Sequence, residues 1–201
     1  MALIPPGYRL WIVDCGFSGK VFCVSDFDID TKMEELMAAM PGARRALFAR
    51  YHLGGCQSCA FSENETLAEL CGRAELDAEE VLTHLLKSHE HDQTMLIAPV
   101  EVKAKLDAGE AVRWVDVRTR EEHEAVAISG SELFNPELQE KVFKEKPGGL
   151  VLLYDHTGKY VLDQVAWFRG HGVANAFGLT GGIDAWSKEV DPKVMRYRVE
   201  V

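Results

Sequence analysis

A chain of 201 residues, 47% of them apolar, has the material for one large domain or two small ones with real cores. Its net charge of −10 excludes a general nucleic-acid or anionic-membrane binder, since both reward a basic surface. No apolar run approaches the roughly 20 residues that span a bilayer and MALIPPGYRL lacks a secretory pattern, so a cytoplasmic location is expected, where five cysteines point to thiols, metal ligands or redox groups rather than a disulfide framework.

Residues 8–25, YRLWIVDCGFSGKVFCVS, read as a β-hairpin within an amino-terminal extension, residues 1–29. With Gly16–Gly19 as the loop, Cys15 faces Lys20 and Cys23 faces Ile12, so the two cysteines are not direct cross-strand partners. A small helical domain is expected over 30–92. Thr31-x-x-Glu34 reads as a capping box, with Met33, Leu36, Met37 and Met40 on one face. Pro41-Gly42 breaks that helix, and Ala43–Tyr51 forms a second. Leu53–Cys59 is a turn. Ser62-x-x-Glu65 reads as the cap of a third helix presenting Leu67, Leu70, Cys71 and Ala74, and Asp77-x-x-Glu80 starts a fourth with Val81, Leu82, Leu85 and Leu86. Such a unit of about 60 residues is short for independent stability unless it packs on something.

The polar run Ser88–Gln93 reads as a linker, with an α/β domain over 93–201. Pro99 opens a helix to about Ala108, and Ala111–Val117 is a strand ending in Asp116-Val117-Arg118. Asn135-Pro136 caps a helix to about Lys144. Leu150–Tyr154 is long enough for a buried strand, and Asp155–Tyr160 is a loop containing Gly158. A helix, a short strand at Ala174–Phe177 and a helical turn from Gly181-Gly182 to Trp186 follow, then an alternating strand at Met195–Val201. Strand, tight loop, helix, strand is half of a parallel α/β unit, and such folds place chemistry at this kind of loop. Trp167, Phe168 and Trp186 read as packing residues, and Met33, Met37 and Met40 as core.

Two stretches resemble known families. Residues 97–187 resemble the rhodanese-like domain. The resemblance is carried by Trp114-Val115-Asp116-Val117-Arg118 with Glu122, by Leu150–Tyr154 and its loop, and by Gly170-His171-Gly172-Val173 leading to Gly181-Gly182-Ile183-Asp184-Ala185-Trp186. Residues 29–87 are similar to a small helical domain of the DUF1858, hybrid-cluster-associated disulfide type, on Cys56-Gln57-Ser58-Cys59 and Glu65-Thr66-Leu67-Ala68-Glu69.

The rhodanese resemblance implies a loop cysteine that accepts a sulfane sulfur as a persulfide, held by loop N–H groups and the following helix terminus. This chain has Asp155 where the family has cysteine, Tyr160 where it often has arginine, and Val126-Ala127-Ile128 where it has glycine-histidine-isoleucine. Asp155 cannot carry a persulfide, so no catalytic residue is assigned at this loop and an active thiosulfate sulfurtransferase is not expected. Asp155, His156, Thr157, Gly158, Lys159 and Tyr160 form an anion cradle that the carboxylate fills itself. The alternatives are Asp155 as general base or nucleophile assisted by His156 or His171, or a loop that reads a ligand or partner. Asp116, Arg118 and Glu122 read as a structural charge network.

Cys56-x-x-Cys59 is the remaining reactive candidate. Its spacing lets both sulfurs meet in one disulfide or on one metal, and Gly54-Gly55 permits a tight turn. Three readings stay open: a redox or sulfur-relay dithiol, zinc or iron–sulfur ligation, or structural thiols. A zinc site needs two further ligands, from among His52, Cys71, His84, His89 and His91, or two from a second copy in a homodimer. The functional expectation is a non-catalytic rhodanese-like protein of sulfur, redox or iron–sulfur metabolism that binds a protein partner or small thiol, without nucleic acid or membrane.

Overall fold

The computed structural model describes residues 27–54 and 61–197. The hairpin expected at 8–25 and the pair Cys56 and Cys59 lie outside the described residues. The chain divides into two compact units, Met1–Leu86 and Lys87–Val201. No helix among the described residues is long and apolar enough to cross a membrane.

The described part of the first unit is built from α1 (Met33–Ala39), α2 (Ala43–Tyr51), α3 (Leu67–Arg73) and the start of α4 (Ala78–Gln93). Its core is Met33, Leu36, Met40, Leu47, Leu67, Leu70, Cys71, Val81 and Leu85, the faces expected from the periodicity. The capping differs from expectation at two helices. Thr31 does not cap α1; its hydroxyl bonds Asp28 instead. The N-termini of α1 and α3 satisfy each other through an antiparallel bridge at Lys32 and Thr66. Met33 and Glu34 N–H donate to the Glu65 and Glu63 carbonyls, and Leu67 and Ala68 N–H donate to those of Thr31 and Ile29. With those donors already paired, a side-chain cap at Thr31 is redundant. The box at α3 is formed by Thr66 and Glu69 rather than Ser62 and Glu65. Asp77 caps α4 as expected, accepting from Glu80 N–H at 3.0 Å.

Ser88–Gln93 is not a linker but the last turns of α4. No glycine or proline interrupts residues 78–93, so the polar residues simply continue the helix.

The second unit is a five-stranded parallel sheet of β1 (Leu96–Ile97), β2 (Val112–Asp116), β3 (Glu132–Leu133), β4 (Leu150–Tyr154) and β5 (Ala176–Leu179), in the order β1-β5-β4-β2-β3. β4 is central and buried on both faces, which is why it reads as a continuous apolar run. Val151 and Leu153 pack with Leu138 and Val142 of α7 (Pro136–Glu145) and with Val165 and Phe168 of α8 (Val161–Gly170). Leu152 and Tyr154 point the other way, to Val102 of α5 (Pro99–Asp107) and to Ile183 and Trp186 of α9 (Gly182–Glu189). The remaining helix, α6 (Arg120–Ala125), is capped by a box of Thr119 and Glu122. β5 starts two residues later than expected, because Val173, buried in the turn after α8, still donates its N–H to the Phe168 carbonyl. Of the strand expected at Met195–Val201, Met195–Tyr197 is irregular and 198–201 lie outside the described residues. Trp167 is half exposed rather than packed, whereas Phe168 and Trp186 are buried.

Candidate functional site

Asp155–Tyr160 joins the carboxyl end of β4 to the amino end of α8, where backbone N–H groups converge. Asp155 is 6% exposed. One carboxylate oxygen accepts from the N–H of Gly158, and the other from the N–H of Tyr160 at 2.6 Å. The side chain at the head of the loop therefore occupies the loop's own anion cradle. Thr157, Lys159 and Tyr160 are on the surface, and Tyr160 is 79% exposed.

The Gly181-Gly182-Ile183-Asp184 run supports the loop from below. Ile183 and Asp184 N–H, in the first turn of α9, donate to the Asp155 and His156 carbonyls at 3.0 and 3.1 Å. Gly182 sits at φ +59, and a Cβ there would lie 2.5 Å from the Asp155 carbonyl oxygen. The most specific motif in the sequence is thus a backbone-to-backbone contact that only glycine permits. Gly182→Ala is expected to destabilise the protein by about 2–3 kcal/mol, because left-handed backbone strain adds to a clash with rigid main chain. Urea unfolding measures it, and a loss below about 0.5 kcal/mol would show that the loop yields freely.

Beside the loop lies a buried polar network. Asp116, fully buried at the end of β2, accepts from Arg118 at Nε (2.9 Å), Nη2 (2.6 Å) and the backbone N–H (3.0 Å), and from His123 Nδ1 (2.8 Å). The Tyr154 hydroxyl donates to the same carboxylate at 2.9 Å and lies 2.8 Å from Ser131 Oγ. Burial alone would raise the Asp116 pKa, but the Arg118 and His123 hydrogen bonds outweigh it and hold the carboxyl below its ordinary value. Burial pushes the Tyr154 phenol up to about 12. Arg118 also donates to the Tyr197 hydroxyl at 2.7 Å, which donates in turn to Glu122 at 2.7 Å. Asp116, Arg118 and Glu122 do form the expected network. His123, Ser131, Tyr154 and Tyr197 complete it, and no sequence spacing linked them, because Tyr197 lies 79 residues beyond Arg118.

The structure does not bring His171 to Asp155. His171 caps α8 at its far end and is held by the Trp167 carbonyl and by stacking on Phe143. His156 faces away from the cradle to the Tyr197 carbonyl, 3.1 Å from Nε2. In the first unit, Cys71 is buried, and burial pushes its thiol up, so it is core rather than thiolate. His52, at the left-handed end of α2, and His84, near the Ala46 carbonyl, are placed by local packing. Among the described residues no three metal-ligating side chains converge. A surface recess of about 320 Å³ between Glu132, Asn135, Leu138 and Lys141 includes no residue of the loop.

Residues 98–189 match the family model described as the Rhodanese-like domain. The chain is 32% identical over 104 residues to the probable adenylyltransferase/sulfurtransferase MoeZ of two strains of Mycobacterium tuberculosis. That match covers 50% of this chain, and the chain spans 26% of the length of those relatives. Among solved structures, a human single-domain sulfurtransferase is 25% identical, with 47% of this chain and 96% of that one covered at a TM-score of 0.39. A rhodanese-like domain protein of Staphylococcus aureus is 23% identical, with 51% and 97% covered at a TM-score of 0.39.

Proposed function

From a rhodanese-like domain at residues 98–189, we propose that the chain serves sulfur transfer as a docking module whose own loop does not carry the sulfur. The observation that carries this reading is the Asp155 carboxylate accepting from Gly158 and Tyr160 N–H. A cysteine persulfide places its terminal sulfur two bonds beyond Cβ, and an aspartate places its oxygens at the same remove. Asp155 is therefore a fixed stand-in for the loaded state: an anion of similar reach in the same cradle, with no sulfur to give. A loop in that state presents a constant charge and shape to a sulfur-handling protein or small thiol, while free anionic donors are repelled. The curated relatives carry sulfurtransferase in their description, which supports this setting.

The sulfur-handling thiol then lies elsewhere. Of the five cysteines Cys71 is buried, and among the other four Cys56 and Cys59 have the two-residue spacing that favours a relay or redox pair. Their alternative role is to hold zinc or an iron–sulfur cluster. A thiosulfate:cyanide sulfurtransferase assay tests the loop. A variant with Cys15, Cys23, Cys56 and Cys59 all replaced by Ser is expected to show no turnover above the uncatalysed rate, and appreciable turnover surviving these substitutions sinks the non-catalytic loop. Purification without oxygen, followed by zinc, iron and sulfide analysis and a redox titration of the pair, decides between dithiol and metal site.

A further inference from the structure

Residues 194–197 are fastened across the loop's flank by three successive attachments. Val194 is buried, and its carbonyl accepts from Ser187 Oγ on α9 at 2.5 Å. Arg196 sets Nε and Nη2 at 2.6 and 2.9 Å from the two oxygens of Asp184. Tyr197 lies flat on His156, with ring centroids 4.3 Å apart and 12° between the planes. Its carbonyl lies 3.1 Å from His156 Nε2, and its hydroxyl bridges Arg118 and Glu122. One residue thus ties the loop to the β2–α6 corner. Between these anchors, Met195 is 69% exposed.

The attachments differ in strength. Val194 is an apolar anchor. The Arg196–Asp184 pair has side chains 57% and 29% exposed, and exposed ion pairs contribute little. Tyr197 is half-buried and holds by stacking on His156 and by its hydroxyl between Arg118 and Glu122. Segments held this way open locally, well before the core does.

We propose that residues 194–197 form a releasable strap that hinges after Val194: closed, it covers His156; open, it presents the imidazole and the loop's flank to a partner. As a control on docking it rests on the loop being the contact face for a sulfur-handling partner. The strap itself is testable without that reading.

The test is carbethoxylation of histidines in the full chain, followed by peptide mass spectrometry. His91, exposed at the end of α4, is the internal reference. In the wild-type chain His156 is expected to react about tenfold more slowly than His91, as protection by a local opening equilibrium requires. Tyr197→Ala removes the cover, and Arg196→Ala loosens it from an exposed position without touching the core. Acceleration of His156 toward the His91 rate in either variant supports the strap. Equal wild-type rates at the two histidines, or wild-type rates at His156 in both variants, overturn it. Sulfur loading of an Asp155→Cys loop reports on the cradle separately, so failure of the docking reading is distinguishable.

Discussion

Asp155→Cys is expected to take up about one sulfur per chain from thiosulfate at residue 155, because the Gly158 and Tyr160 N–H groups already converge on the side chain there. The new thiolate attacks the outer sulfur of thiosulfate. The donor's S–S bond breaks, sulfite leaves with the electron pair, and the terminal sulfur becomes the charged end of a persulfide. The Gly158 and Tyr160 N–H groups that now bind the Asp155 carboxylate are placed to receive that charge. Support from α9 through Ile183 and Asp184 N–H is main-chain and does not depend on the side chain at 155. Intact mass and peptide mapping, in a Cys56→Ser/Cys59→Ser background, locate the added sulfur. A variant that folds and stays unloaded would show that the loop has changed shape as well as chemistry.

The second large effect is expected at Arg118. Its side chain is 2% exposed and that of Asp116 is fully buried. Arg118→Met leaves the carboxylate with His123 and Tyr154 but without its permanent counter-charge, and breaking a buried pair in this way costs about 3–5 kcal/mol. The urea midpoint should fall accordingly, and replacing both partners with apolar residues should recover much of the loss. A cost below about 1 kcal/mol would mean that the pair behaves like a surface bridge. The pH dependence has a definite sign. The Asp116 pKa is depressed in the folded chain by the Arg118 and His123 bonds, which outweigh burial. Its contribution to stability is therefore fully present above the ordinary aspartate value of about 3.9 and is lost as the pH falls toward the depressed value. Arg118→Met should remove most of that acid-side slope.

The central strand, the helices over Ala43–Tyr51 and Pro99–Asp107, the Asn135 cap and the apolar faces of the first unit follow from periodicity and punctuation. These features are local: a run of apolar residues, a proline at a helix start, a side chain three residues from an N–H. The short strands β1 and β3 escape such a reading because two residues carry no periodicity, and only pairing with longer neighbours makes them strands. Thr31-x-x-Glu34 and Ser62-x-x-Glu65 look like caps equally well, yet a backbone bridge between two helix starts displaces the first, and Thr66 with Glu69 takes over the second.

The candidate site divides in the same way. The residue types at Asp155 and Gly158, the glycines at 181 and 182 and the charges at 116, 118 and 122 are legible in the chain. So is the lack of any thiol in the loop. These are statements about which atoms are present, and the order of the residues carries them outright. What the carboxylate binds depends on the folded chain. Its two acceptors meet N–H groups three and five residues further on. The same holds for His156, whose imidazole meets a tyrosine 41 residues away. Direction and distance across a folded loop depend on every dihedral between the partners and on the helices that fix its ends, and no spacing rule carries that information.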